Sequence, residues 1–354
     1  MFPVMHQLYP YRKIHDPENI IGIEIEMEGH NLNLNPARTM WKQEGDGSLR
    51  GEESIEWILN GPCPLREVRK KLQQLLVFLD EKHDYKHGPT ILEPSDRCGV
   101  HIHINVQHMT FQEVFNFIFL YLMFEKVLVG YCGASREGNF YCLRASDAEY
   151  FIDQMIEARK QSEIELLTPG RDQMRYASVN PGAIRKFGSV EFRAFRTPLN
   201  LMNIEEWVYI LNQVKESSFK FDEPQEVIER YSARGEEQFF TDIMGEQFSK
   251  ILRKKVRDVD QKLLDGIRLT QDIAYTLVDI VPITLDEQGE GKNKWERAAP
   301  RERNPWREED AQYGEQQLRH VDNEEAHPEI EDDQGIIDVI QEEDEVFADE
   351  EGPR

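Results

Sequence analysis

The stretch IGIEIEMEG, residues 21–29, places an acid at every second position: Glu24, Glu26 and Glu28, with Ile23, Ile25 and Met27 between them. Alternation with a period of two predicts a strand with one face buried. Three further segments carry chemistry on the same plan. GVHIHINV (99–106) offers His101, His103 and Asn105, SVEFRAF (189–195) offers Glu191 and Arg193, and SIEWIL (54–59) offers Glu56. In each, the intervening residues are apolar. Alternate residues on a strand stand roughly 6.5–7 Å apart. Unneutralised, so many carboxylates raise one another's pKa. Divalent cations are the simple remedy, since carboxylate oxygens are the donors that Mg2+ and Mn2+ prefer. A single polar strand face is ordinarily solvated and inert, and so is a lone His-x-His. Several such faces in one chain, each backed by apolar residues, point instead to a shared metal platform.

The rest of the composition narrows the chemistry. Zinc hydrolases also use His-x-His but need further ligands, and after His108 the only histidines are His320 and His327, in an acidic tail. A cupin-like site wants a Glu soon after the pair and a later His, which are missing. Several Glu, one His pair and several Arg suit Mg2+–nucleotide chemistry, in which acids hold ions, ions hold phosphates and arginines neutralise the transferred phosphoryl group. The GEGKNK segment (289–294) lacks the earlier glycine and the Ser/Thr of a phosphate-binding loop.

These faces need elements to hold them. Strands are expected at 21–29, 54–59, 99–106, 175–180 and 189–195, bounded by Gly, Pro, Asn or Ser. Helical spacing runs from Leu65 through Leu79 and from Ile204 through Val214. Residues 110–130 are apolar almost all round, as in a helix covered on several sides. Further helices are expected at about 224–233, 236–253 and 258–280. Strands interleaved with helices, followed by a run of helices, predict an α+β fold with helices on one face of the sheet.

The net charge of −25 argues against tracking a nucleic-acid backbone. It is unevenly placed: residues 286–354 hold 24 acids and 8 bases, leaving −9 on residues 1–285. We therefore expect a folded domain over 1–285 and a disordered acidic tail over 286–354. Within the tail, GIIDVI (335–340) reads as an inert stretch or as a docking peptide for a protein partner. Cys63, Cys98, Cys132 and Cys142 show no pairing pattern, so reduced thiols and a cytoplasmic setting are expected. The N-terminal residues do not read as a signal peptide, FIFLYLMF (117–124) is too short to span a membrane, and no membrane partner is expected.

Taken in order, IGIEIEMEG, DGSLRGEESIEWILNGP, CGVHIHIN, RYASVN and SVEFRAFRT resemble the amidoligase family of the carboxylate–amine ligase (glutamine synthetase) superfamily. The likeness spans about residues 20–200. It implies a glutamine synthetase-like domain, with a largely antiparallel sheet, helices on one face and a metal and ATP site on the other. It implies Glu24, Glu26, Glu56, His101 and Glu191 as metal ligands, with Glu52 and Glu53 as rivals of Glu56. One ion would sit at Glu24, His101 and Glu191, another at Glu26 and Glu56. Asp46 falls at the active-site rim, His103 near the nucleotide phosphates, and Arg175 and Arg193 on phosphate or activated carboxylate, with Arg196 a weaker candidate. Glu28 has no counterpart and is expected to be solvated. Arg136 and Arg144 either reach nucleotide or substrate or make structural salt bridges.

The implied reaction is ATP- and Mg2+-dependent (or Mn2+-dependent) formation of an amide or isopeptide bond through an acyl phosphate, from small-molecule or peptide carboxylates and amines. A scaffold on a degenerate ligase fold and a metal-dependent hydrolase are the alternatives. An oligomer is compatible with the resemblance.

Overall fold

The computed structural model describes residues 3–9, 19–32, 40–50, 53–81, 91–93, 95–147, 149–168 and 176–277. Arg175, Glu52, the acidic tail and its GIIDVI segment lie outside them.

The chain opens with a short helix, α1 (Val4–Leu8), and the acid-bearing strand β1 (Ile20–His30). The strands β2 (Trp41–Glu44), β3 (Glu53–Leu59) and β4 (Cys63–Pro64) lead into α2 (Val68–Glu81). β5 (Ile91–Glu93) and the histidine strand β6 (Gly99–Asn105) precede the long apolar helix α3 (Phe111–Tyr131). After α4 (Glu149–Gln161), α5 (Ile164–Leu167), β7 (Val179–Asn180) and α6 (Ala183–Phe187) comes β8 (Ser189–Arg196). Four helices close the described chain: α7 (Asn203–Ser218), α8 (Pro224–Arg234), α9 (Glu236–Lys255) and α10 (Val259–Ala274).

All the strand pairs are antiparallel, in the order β2-β3-β1-β6-β8-β7, with β4 and β5 also paired to β1. The fold is thus α+β, as the order of elements predicted. The expected strands at 21–29, 54–59, 99–106 and 189–195 are present. Within the described part of the expected strand at 175–180, only Val179–Asn180 is strand; Ala177 instead forms an isolated bridge with Leu143, which exchanges backbone hydrogen bonds with Tyr176 and Ser178. The short strands β2, β4 and β5 and the helix α4 were not expected from the sequence.

One face of the sheet is apolar and is covered by helices. Trp57 of β3 meets Phe78 of α2 edge to face, Phe192 of β8 contacts Phe117 and Tyr121 of α3, and Phe195 stacks on Trp207 of α7. α3 is capped by a reciprocal box, in which Thr110 accepts from the Glu113 amide and Glu113 accepts from that of Thr110. By length and composition alone α3 could cross a membrane, but 83% of its most apolar window is buried among α7, α9, α10 and β8. This is the many-sided burial its composition predicted. α10 comes so close to it that a Cβ added at Gly266 would lie 1.8 Å from the carbonyl oxygen of Met123.

One carboxyl is sealed inside this layer. Glu125 of α3 is 1% exposed and accepts the Ala145 amide on both oxygens (3.0 and 2.8 Å) and the Ser178 hydroxyl. Burial outweighs these hydrogen bonds and pushes its pKa from the ordinary 4.5 up to about 7. Between those values the folded protein keeps a proton that the unfolded chain releases, so stability falls as pH rises through this window, by on the order of 3 kcal/mol. Glu125→Gln, whose amide can accept from Ala145 and donate to Ser178, is expected to remove this part of the slope. Urea midpoints at pH 5 and pH 8 should therefore show the variant gaining on the wild type only at the higher pH.

Candidate metal and phosphoryl-transfer site

The opposite face of the sheet collects the acids, and strand register explains how. Glu26 lies directly across from Glu56 of β3, Glu24 from His101 of β6, and His103 from Glu191 of β8, which in turn faces Asn180 of β7. Directly opposed residues in an antiparallel pair point to the same side. Four strands therefore lay one diagonal row of functional groups across the sheet.

The row is dense. His101 Nδ1 is 3.3 Å from Glu24 Oε2 and 3.7 Å from Glu191 Oε1, and its Nε2 is 3.5 Å from Glu26 Oε1. His103 Nε2 is 3.5 Å from Glu24 Oε1. Arg193 reaches in from β8, with Nη1 2.5 Å from Glu191 Oε1 and 3.3 Å from His101 Nδ1. Three overlapping groups bring donor atoms within 4.8 Å of one another: Glu24, His103 and Glu191; Glu24, Glu56 and His101; and Glu26, Asp46 and Glu56. The residues of the expected groupings all stand in the row, and His101 Nδ1 lies close to both Glu24 and Glu191. His103, assigned to the phosphates, also stands beside Glu24 and Glu191, and Asp46, assigned to the rim, joins Glu26 and Glu56. Register adds His103 to this end of the row, since it is the residue paired with Glu191.

The electrostatics follow from crowding. Burial favours a neutral Glu24, but hydrogen bonds from His101 and His103 outweigh it and hold the carboxylate well below the usual range. Burial likewise opposes ionised Glu191, and the charges of Arg193, His103 and His101 prevail to keep its pKa low. At Glu56 the nearby His101 compensates only in part. Burial, joined by the charges of Glu24, Glu26 and Asp46, pushes it up to about 7. Oxygen-rich donors with an excess of negative charge suit a hard divalent cation.

Several supports have no direct mark in the sequence. Glu26 Oε2 accepts the Gly99 amide at 2.6 Å, and a Cβ at Gly99 would come 3.2 Å from that oxygen and 3.3 Å from Arg136 Nη2. Asn180 donates to Glu191 Oε2 at 2.8 Å, and Ser189 Oγ lies 3.1 Å from His103 Nδ1. A bulge interrupts β8: Val100 pairs with Phe195 and Ile102 with Phe192, so Arg193 and Ala194 together face the single residue His101. The bulge returns Phe195 to the helical layer and leaves Arg196 opposite Gly99, its Nη1 3.8 Å from Asp96. Arg136, 1% exposed, clamps the bulge. Its guanidinium donates to the carbonyls of Ala194 (2.9 Å), Arg193 (2.9 Å) and Asp96 (3.0 Å).

Other readings are corrected or narrowed. Glu28 is not solvated: it is 9% exposed and accepts the Arg50 amide at 2.8 Å, tying down the loop that carries Asp46. Glu53 accepts the Leu32 amide at 2.5 Å and so serves the backbone, while Glu56 stands in the row. Arg136 contacts backbone carbonyls, and Arg144 pairs with Asp147 at 3.0 Å. The four cysteines are buried free thiols, and burial pushes Cys63 up to about 11 and Cys98 to about 12.

Residues 54–214 match the model of a protein family described as "Putative amidoligase enzyme". The resemblance drawn from the motifs holds across that segment, which carries Glu56, His101, His103, Glu191 and Arg193, while β1 with Glu24 and Glu26 precedes it. No curated protein matches the chain.

Replacing Arg136 by Met leaves the two bulge carbonyls of Arg193 and Ala194 without this donor, while the Asp96 carbonyl keeps its hydrogen bond from Asn139. We expect a loss of at least about 3 kcal/mol in urea denaturation, against less than about 0.5 kcal/mol for Arg144→Met, which breaks only a surface pair.

Proposed function

We propose that this protein is an ATP- and Mg2+-dependent carboxylate–amine ligase on a glutamine synthetase-like sheet, forming an amide or isopeptide bond through an acyl phosphate. One observation carries the reading: Glu24, Glu26, Glu56, His101, His103 and Glu191 converge from four strands on one sheet face, with a partly buried arginine, Arg193, among them. The amidoligase match over residues 54–214 supports the reaction class.

The donor set fits divalent cations, since carboxylate oxygens and imidazoles are clustered within reach of one another. The groups around Glu24, His103 and Glu191 and around Glu26, Asp46 and Glu56 would hold them. Bound there, such cations neutralise the polyphosphate and the charge that develops on the transferred group.

In the first step a carboxylate oxygen of the substrate attacks the γ-phosphorus of ATP, and the bond to the β,γ-bridging oxygen breaks to release ADP. In the second, the amine nitrogen attacks the acyl carbon, loses a proton, and phosphate leaves. Arg193 has the position for charge neutralisation in both steps: its Nη1 reaches the centre of the row, and Glu191 holds its angle. Arg196 stands on the same face one turn of the bulge away and suits the incoming carboxylate. Arg175 is assigned the same duty through the family motif alone. The protein's task is positioning and electrostatics, and no covalent enzyme intermediate is required.

A mixture of the protein, ATP and Mg2+ with pools of carboxylates and amines, read by mass, is expected to yield a condensed product, with ADP release requiring both substrates. Glu24→Gln and Glu191→Gln should each reduce the rate at least about a hundredfold. ATP hydrolysis indifferent to amine would identify a hydrolase. A wild-type protein that gains none of the about 2.7 kcal/mol expected at 100 times the dissociation constant of Mg2+–ATP would identify a non-catalytic scaffold.

A further inference from the structure

A cleft of about 700 Å3 opens beside the acid row, with Glu24, Glu56 and His103 at its inner side and Ile20, Ile58, Leu59 and Phe187 among its apolar walls. None of the described arginines lines it. They gather elsewhere: Arg193 and Arg196 at the β8 bulge, and Arg97 with its Nη1 2.8 Å from the Tyr141 hydroxyl and near the backbone of Ser48. The site is therefore polar in its layout. The β8 bulge presents guanidinium groups, which suit a carboxylate, with Arg193 reaching into the row and Arg196 opposite Gly99. The cleft presents apolar surface and an aromatic ring beside the acids.

Phe187 is that ring. It is 50% exposed, at the C-terminal end of α6, and meets His103 edge to face at 5.3 Å between centroids. The Lys186 ammonium lies 4.6 Å from its centroid. The backbone beneath it is fastened to the end of β6. Gln107 Nε2 donates to the Phe187 carbonyl at 3.2 Å, and the Val106 amide donates to the carbonyl of Gly188 at 3.0 Å. A large aromatic side chain is thus held half in water at the mouth of a cleft, on a fixed backbone, one ring away from a candidate metal ligand.

We propose that this cleft receives the nucleobase of ATP, with Phe187 as the stacking platform and Lys186 supplying positive charge to the phosphate chain as it runs toward Glu24 and His103. The inference rests on the ligase reading and adds its direction: the nucleotide enters from the β6–α6 end, and the carboxylate substrate from the arginine end. A purine offers two apolar faces and a polar edge, which matches apolar walls joined by the amides of Asn60 and Asn105. Stacking of a base on an aromatic side chain is worth enough to be read by substitution.

The test measures binding of Mg2+–ATP and of Mg2+–tripolyphosphate, which has the phosphates and no base, to the full chain by calorimetry. Phe187→Ala is expected to weaken ATP about tenfold and leave tripolyphosphate within about twofold, with Phe187→Tyr restoring ATP affinity. The tripolyphosphate arm also reports that the variant is folded. Unchanged ATP affinity in Phe187→Ala, or an equal loss for both ligands, overturns the base-binding role and leaves the ligase reading standing. A wild-type protein that binds neither ligand overturns both.

Discussion

Carboxylates set side by side on one sheet face repel one another, and the architecture around them is arranged to hold them there. Glu24, Glu26, Glu56 and Glu191 come from strands whose other faces are anchored in apolar contacts. The helical layer fixes those strands, and the strands leave the acids no freedom to part. What compensates the repulsion differs along the row. Glu24 has two imidazoles, Glu191 has Arg193 and Asn180, and Glu26 has the Gly99 amide. Glu56 has the least, and burial first, then the neighbouring carboxylates, raise its pKa. A site with this crowding of carboxylates and imidazoles suits a multivalent cation.

The supports divide by what they secure. Cross-strand pairing sets which groups share a row, and the bulge in β8 sets where guanidinium groups enter it. Arg136 holds the bulge through the carbonyls of Arg193 and Ala194, from a turn after α3 that is distant in sequence from β8. Glu28 holds the Asp46 loop by one backbone hydrogen bond. These residues touch no reacting group, yet the spacing of the acids depends on them. This is the usual division in a preorganised site between groups that act and groups that keep them in place.

Much of this was legible in the sequence because the relevant signal has period two. Alternation identified β1, β3, β6 and β8 and told which residues share a face, since one face of each strand must be apolar to meet the helices. Alternation reports direction and not depth, however, so Glu28 read as solvated although it is buried under its own loop. Register was also beyond reach. Which residue of β6 pairs with Glu191 depends on register between strands some 90 residues apart, as in the separation of 86 between His103 and Ser189. The bulge has no compositional mark, because Arg193-Ala194 reads as ordinary alternation. β2, β4 and β5 are too short for periodicity to stand out. α4 does place Phe151, Met155 and Ala158 on one buried side, a helical spacing diluted by its many charges.

The all-round apolar character of α3 has a consequence during synthesis. Its cover arrives late: β8 and α7 come well after it, and α10, whose Gly266 presses on its backbone, is completed about 140 residues further on. At translation speeds of about 5–20 residues per second, this greasy segment waits roughly 7–30 s outside the ribosome before its last partner emerges. The nascent chain is then a natural client for chaperones that shield hydrophobic stretches, and a prematurely terminated product lacking α10 would be prone to aggregate.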